Sequence, residues 1–126
     1  MPRILVLEDS ILSRRIIKRI LTAADYEVLE AADGKRGLAI VDTEAIDCIL
    51  LDLLMPEMDG QTFLANLRQQ KTAIPVVVIS ADIQESTRQR CLELGALAVL
   101  SKPTNSEELL RVLQRVLPPE YPRPNP

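Results

Sequence analysis

Five short apolar runs, at residues 4–7, 26–29, 48–51, 75–79 and 97–100, constrain this chain more than any other feature. Their starts lie 22, 22, 27 and 22 residues apart. Runs of this kind, bounded by turn signals, suit strands buried on both faces. Between them the apolar residues fall at helical spacing. Leu12, Ile16 and Ile20 recur four apart, with Ile17 and Leu21 beside them and Arg14, Arg15, Lys18 and Arg19 opposite. Residues 37–41 read as a short second helix, and Phe63, Leu64 and Leu67 mark a third. A more polar fourth helix spans 84–94 and stops at Gly95, a natural residue just past a helix end. Leu109, Leu110, Leu113, Val116 and Leu117 make a fifth, with Asn105 or Ser106 able to cap its start. Strand alternating with helix, five times over, predicts a parallel α/β sheet with helices on both faces. Right-handed crossovers leave few topologies for it.

The third run drives into a carboxylate, Asp52, followed by a turn with Pro56 and by Gly60, where a helix can restart. Asp52 therefore closes a buried parallel strand, at the edge where open α/β sheets place their ligand sites. The other runs end similarly. Glu8, Asp9 and Ser10 follow the first, Ser80, Ala81 and Asp82 the fourth, and Ser101, Lys102 and Pro103 the fifth. A parallel sheet brings all these ends to one rim. Helix capping accounts for a Ser or an Asp at some of them but not for Lys102.

The residue types carry a chemistry. Clustered carboxylates repel unless a cation neutralises them. The chain has no His, so any metal ligands are carboxylates and carbonyls, which favour hard cations such as magnesium. A carboxylate at such a site can act as a nucleophile on phosphorus, forming an aspartyl phosphate. A Lys ammonium and a Ser hydroxyl supply donors to the new phosphoryl oxygens, and phosphoryl transfer is mostly positioning plus charge stabilisation.

Composition narrows the partners. Aromatics are only 2%, so Leu, Ile and Val must fill the core, and stacking platforms for single-stranded nucleic acid are lacking. The net charge of -3 gives no basic footprint for nucleic acid. Neither an apolar run of membrane-spanning length nor a leader pattern precedes the first strand, so a cytoplasmic protein without a membrane partner is expected. Cys48 and Cys91 read as buried thiols. One domain is expected over 1–117, followed by a proline-rich tail or linker stub at 118–126 that cannot be helical.

Glu8-Asp9, the stretch Asp52-Leu53-Leu54-Met55-Pro56-Glu57-Met58-Asp59-Gly60, Ser80-Ala81 and Lys102-Pro103 together resemble the motifs of response-regulator receiver domains, the phospho-accepting half of two-component signalling. The resemblance covers residues 3–117 and is specific as a combination, although each piece alone is weak. It implies a doubly wound five-stranded parallel sheet of order 2-1-3-4-5, flavodoxin-like or CheY-like. It implies Asp52 as phosphoacceptor, and Glu8, Asp9, Asp52 and the backbone carbonyl of Leu54 as the magnesium site. Ser80 then resembles the hydroxyl that turns toward the phosphoryl group, Lys102 the phosphate-binding lysine, and Lys102–Pro103 the family's cis peptide. The implied partners are a sensor histidine kinase or histidine phosphotransfer protein, and a downstream protein that reads the face of helix four, strand five and helix five. Such a chain is a signalling module rather than an enzyme.

Three positions depart from the family's pattern. Val99 stands where an aromatic switch residue is frequent, Thr104 where an apolar residue is common, and Glu8 where Asp is usual. Other readings fit less well. Aspartate-based phosphohydrolases carry a second acidic residue two positions after the nucleophile, and here that residue is Leu54. A nucleotide-binding Rossmann unit needs a Gly-rich loop where this chain has Glu8-Asp9-Ser10. The remaining alternatives are a pseudo-receiver acting as a phosphorylation-independent interaction module, or the N-terminal receiver of a longer regulator with an output domain.

Overall fold

The computed structural model describes residues 2–55, 58–70, 73–81 and 84–117. In chain order the elements are β1 (Arg3–Leu7), α1 (Ile11–Ala23), β2 (Glu27–Ala31), α2 (Gly34–Thr43), β3 (Cys48–Asp52), α3 (Gly60–Gln69), β4 (Val76–Ser80), α4 (Glu85–Glu93), β5 (Ala98–Ser101) and α5 (Ser106–Val116). The strands form one parallel sheet in the order β2-β1-β3-β4-β5. Both the α/β class and the strand order expected from the sequence are therefore observed. The expected tail at 118–126 lies outside the described residues, as does Asp82.

β3 and β4 are buried at every residue, which is why their sequences read as continuous apolar runs rather than alternating ones. Alternation still governs which side each residue faces. Leu5, Leu7, Ile49, Leu51, Val76 and Val78 pack on one side with Phe63, Leu64, Leu67 and Cys91. Ile4, Val6, Cys48, Leu50, Val77 and Ile79 pack on the other with Ile17, Leu21, Leu109 and Leu113. Helices α1 and α5 thus cover one face, and α3 and α4 the opposite one. The two cysteines are buried and free on opposite sides of the sheet.

Some boundaries and faces differ from expectation. Four of the five strands end one or two residues later than the apolar runs, at Ala31, Asp52, Ser80 and Ser101, because the ladder continues through the first polar residue. Helix α2 is twice the expected length, since Asp33 caps it by accepting from the Arg36 N–H at 2.8 Å. On α1 the buried stripe is Ile17 and Leu21, whereas Leu12 and Ile16 are exposed. Both stripes have helical spacing, and only the docking of α1 on the sheet decides between them. Asn105, not Ser106, caps α5 through the Glu108 N–H. Helix α4 ends as expected near Gly95, whose φ of +106° suits glycine. The Lys102–Pro103 peptide is cis.

Candidate functional site

Parallel pairing carries the strand ends to one edge. Leu7 pairs with Leu51, so Glu8 emerges beside Asp52. Asp52 pairs with Ile79, and Ser80 with Ser101, so the hydroxyl and the lysine loop follow in the next two rows. The Lys102 N–H donates to the Ser80 carbonyl at 2.9 Å, tying that loop to β4. The Gly60 N–H donates to the Leu53 carbonyl at 3.0 Å, so the start of α3 lies against the end of β3. A Cβ on Gly60 would stand 2.7 Å from the Leu53 Cα and 2.9 Å from the Asp52 carbonyl oxygen, so only glycine fits where α3 meets β3. Asp59 caps α3 by accepting from the Thr62 N–H at 2.8 Å.

Three carboxylates converge here. One oxygen from each of Glu8, Asp9 and Asp52 lies within 4.8 Å of the others. Glu8 and Asp52 are buried, and Asp9 stands exposed at the mouth. The Lys102 ammonium reaches between the two buried acids, donating to Glu8 Oε1 at 2.8 Å and to Asp52 Oδ2 at 3.4 Å. The Leu54 N–H donates to Asp52 Oδ1 at 3.2 Å, which sets the carboxylate's rotation.

Burial pushes the Glu8 carboxyl up to about 7, aided by its hydrogen bond and repulsion with Asp52, and Lys102 offsets only part of this. Burial pulls the Lys102 ammonium down, but its bond to Glu8 and the charges of both acids outweigh that and hold its pKa above the ordinary value. Two buried polar atoms lack partners among the described residues, Glu8 Oε2 and Ser80 Oγ. An orphaned carboxylate oxygen next to two further carboxylates is a donor set for a hard cation, so the residues present fit magnesium. Beside Ser80 opens a cleft of about 240 Å³ lined by Leu53, Leu54, Asp59, Gln61, Gln84 and Thr87.

The structure therefore brings Glu8, Asp9, Asp52, Ser80 and Lys102 to one rim and sets the Leu54 backbone beside Asp52. It also shows a participant that sequence periodicity assigns to solvent. Arg14 donates through Nη1 to the Glu8 carbonyl at 2.8 Å and pairs with Glu30 Oε1 at 3.3 Å. Helical spacing groups Arg14 with Arg15, Lys18 and Arg19, and no sequence signal separates it from them.

Comparison with known proteins agrees with this geometry. The response regulator receiver domain family matches residues 4–114. A protein-glutamate methylesterase/protein-glutamine glutaminase of Treponema denticola is 39% identical over 109 residues, which are 83% of this chain but only 29% of that protein. The two-component response regulator ORR3 of Oryza sativa subsp. indica is 34% identical over 119 residues, 92% of this chain and 91% of that one. The chain thus spans under a third of the first relative and nearly all of the second. Among solved structures, chemotaxis protein CheY4 of Vibrio cholerae superposes with a TM-score of 0.87 at 36% identity, covering 93% of this chain and 99% of that one. The receiver domain of sensor histidine kinase PA1611 from Pseudomonas aeruginosa, solved with a magnesium ion coordinated in its active site cleft, superposes with a TM-score of 0.84 at 30% identity, covering 91% of this chain and 96% of that one. No helix among the described residues is long and apolar enough to cross a membrane. With the sheet order, the acidic rim and the family match all in agreement, this chain belongs to the response-regulator receiver domains of two-component signalling.

Proposed function

We propose that Asp52 accepts a phosphoryl group from a phosphohistidine, on a sensor histidine kinase or a histidine phosphotransfer protein, and that the chain is a phosphoacceptor rather than an enzyme. The observation that carries this reading is one rim holding three carboxylates, a lysine bonded to two of them, and a buried hydroxyl with no partner among the described residues. An Asp52 carboxylate oxygen attacks phosphorus in line, the new O–P bond forms, and the P–N bond to the donor imidazole breaks with its electron pair returning to nitrogen. Leu54 N–H holds Asp52 Oδ1, so Oδ2 is the oxygen free to attack once Lys102 releases it. Lys102 then donates to a phosphoryl oxygen, and the Ser80 hydroxyl supplies a second donor. Glu8, Asp9, Asp52 and the Leu54 carbonyl would hold magnesium, which supplies charge neutralisation to the transferring group. The magnesium-bound receiver domain from Pseudomonas aeruginosa supports that assignment by likeness.

The signal then passes through Ser80 and Lys102 into α4, β5 and α5, whose shared face is read by a downstream protein. Cytoplasmic placement belongs to the same reading. Acetyl phosphate with magnesium is expected to add one phosphoryl mass to the parent chain and none to Asp52→Asn. A variant that accepts label as well as the parent does would falsify the assignment of Asp52.

A further inference from the structure

We infer that Arg14 is a positioning residue for the acidic rim, clamping the peptide that joins Glu8 to Asp9. This rests on the reading of Glu8, Asp9 and Asp52 as a magnesium site. Asp9 is exposed, and its carboxylate has no hydrogen bond or ion pair among the described residues, yet it belongs to the three-carboxylate cluster. Its placement must come from the backbone. A peptide unit is planar, so fixing the Glu8 carbonyl fixes the plane from which Asp9 departs. Arg14 does this from α1, donating to that carbonyl at 2.8 Å. On the other side of the same residue, the Glu8 N–H donates to the Ala31 carbonyl of β2 at 3.1 Å. Both backbone groups of Glu8 are thereby tied.

The clamp is itself held. Glu30, one residue before Ala31 on β2, pairs with Arg14 Nε at 3.3 Å through one oxygen and with Lys18 Nζ at 3.2 Å through the other. Arg14 is mostly buried, at 21% side-chain exposure, whereas Lys18 is half exposed. A planar guanidinium can bond a carbonyl and a carboxylate at once, which an ammonium does less well. The arrangement therefore joins β1, α1 and β2 at the one peptide that precedes the exposed ligand.

The sign of the effect separates positioning from simple charge. Removing a cation near an acidic site should, by Coulomb's law alone, tighten magnesium binding. Losing the clamp should weaken it, by roughly tenfold as for other groups that orient metal ligands. The experiment compares the parent, Arg14→Ala and Arg15→Ala, all at a temperature where each is folded by circular dichroism. Arg15 loses the same charge from the same helix and makes no ion pair among the described residues. Magnesium affinity is measured by titration, and amide exchange without metal is measured at Glu8 and Ser13, whose N–H groups are hydrogen-bonded to the Ala31 carbonyl and to Ser10 Oγ on either side of the clamped peptide. The expected result is weaker magnesium binding and faster exchange at those two amides in Arg14→Ala, with neither change in Arg15→Ala. If the parent binds magnesium and Arg14→Ala binds it as tightly or more tightly, the inference is overturned. A parent that binds no magnesium overturns the functional reading instead, and the metal-free exchange then judges the clamp by itself.

Discussion

Ser80 and Glu8 hold the buried side-chain atoms that lack partners among the described residues. The Ser80 hydroxyl is fully buried without a partner among the described residues, and a buried unsatisfied hydroxyl costs about 1–3 kcal/mol. Ser80→Ala is therefore expected to melt at the same temperature as the parent or slightly above it. With beryllium fluoride as a phosphoryl mimic, the same variant should show smaller exchange changes over residues 84–100, because a donor to the mimic has gone. An equal response in both proteins would count against Ser80 as the coupling residue. Glu8 gives a pH signature. Its folded pKa of about 7 lies above the ordinary 4.5, so the folded chain binds the extra proton between those values. Stability without metal should accordingly be highest below pH 4.5 on this residue's account and fall as pH rises through 7, by roughly 3 kcal/mol at most. Denaturant titrations from pH 4.5 to 8 should show this slope in the parent and lose it in Glu8→Gln. These residues are legible in the sequence because each is among the first polar groups after an apolar run, and parallel topology sends all such groups to one edge. Arg14 is not legible, because its role depends on which carbonyl its guanidinium meets.

Among the elements, α4 is held most lightly. It lacks a side-chain N-cap and buries only Cys91. Two arginines tether it instead, Arg88 to the Val99 carbonyl of β5 at 3.1 Å and Arg68 of α3 to the Glu93 carbonyl at 2.8 Å. Few apolar contacts, one exposed tether and one only partly buried mark a segment that opens locally below the global stability. Native-state hydrogen exchange should show α4 amides exchanging before those of α3 and α5, and Arg88→Ala should speed α4 further while leaving β3 unchanged. Slower exchange in α4 than in α5 would remove it as the moving element. β1, β3 and β4 are legible here because burial on both faces leaves no polar interruption in their apolar runs, and α3 and α5 because their apolar stripes meet the sheet directly. The length of α2 is hidden by its glycines at 34 and 37, which weaken helical periodicity while Asp33 supplies the start. The stripe on α1 is ambiguous in sequence since two neighbouring apolar rows share the same spacing, and only docking selects Ile17 and Leu21.

For the whole molecule, the sheet separates two cores, and each contains one thiol. Burial pushes the Cys48 thiol up to about 12, and raises that of Cys91 as well, so neither is a ready nucleophile in the folded state. Alkylation should therefore report opening. Cys48, on a central strand, should react only at the rate of global unfolding, and Cys91, on α4, faster through local opening. Equal rates for the two would mean that α4 has no independent motion. The strand order has a further consequence, for self-association. An open parallel sheet has two unpaired margins, here β2 and β5, which could template pairing with another copy. β5 is only four residues long, and β2 carries Glu27 and Glu30, with Glu27 engaged by Arg3 at 3.0 Å. Charge on one margin and brevity on the other blunt strand addition, so this leucine-, isoleucine- and valine-rich sheet is protected from stacking edge to edge into fibrils.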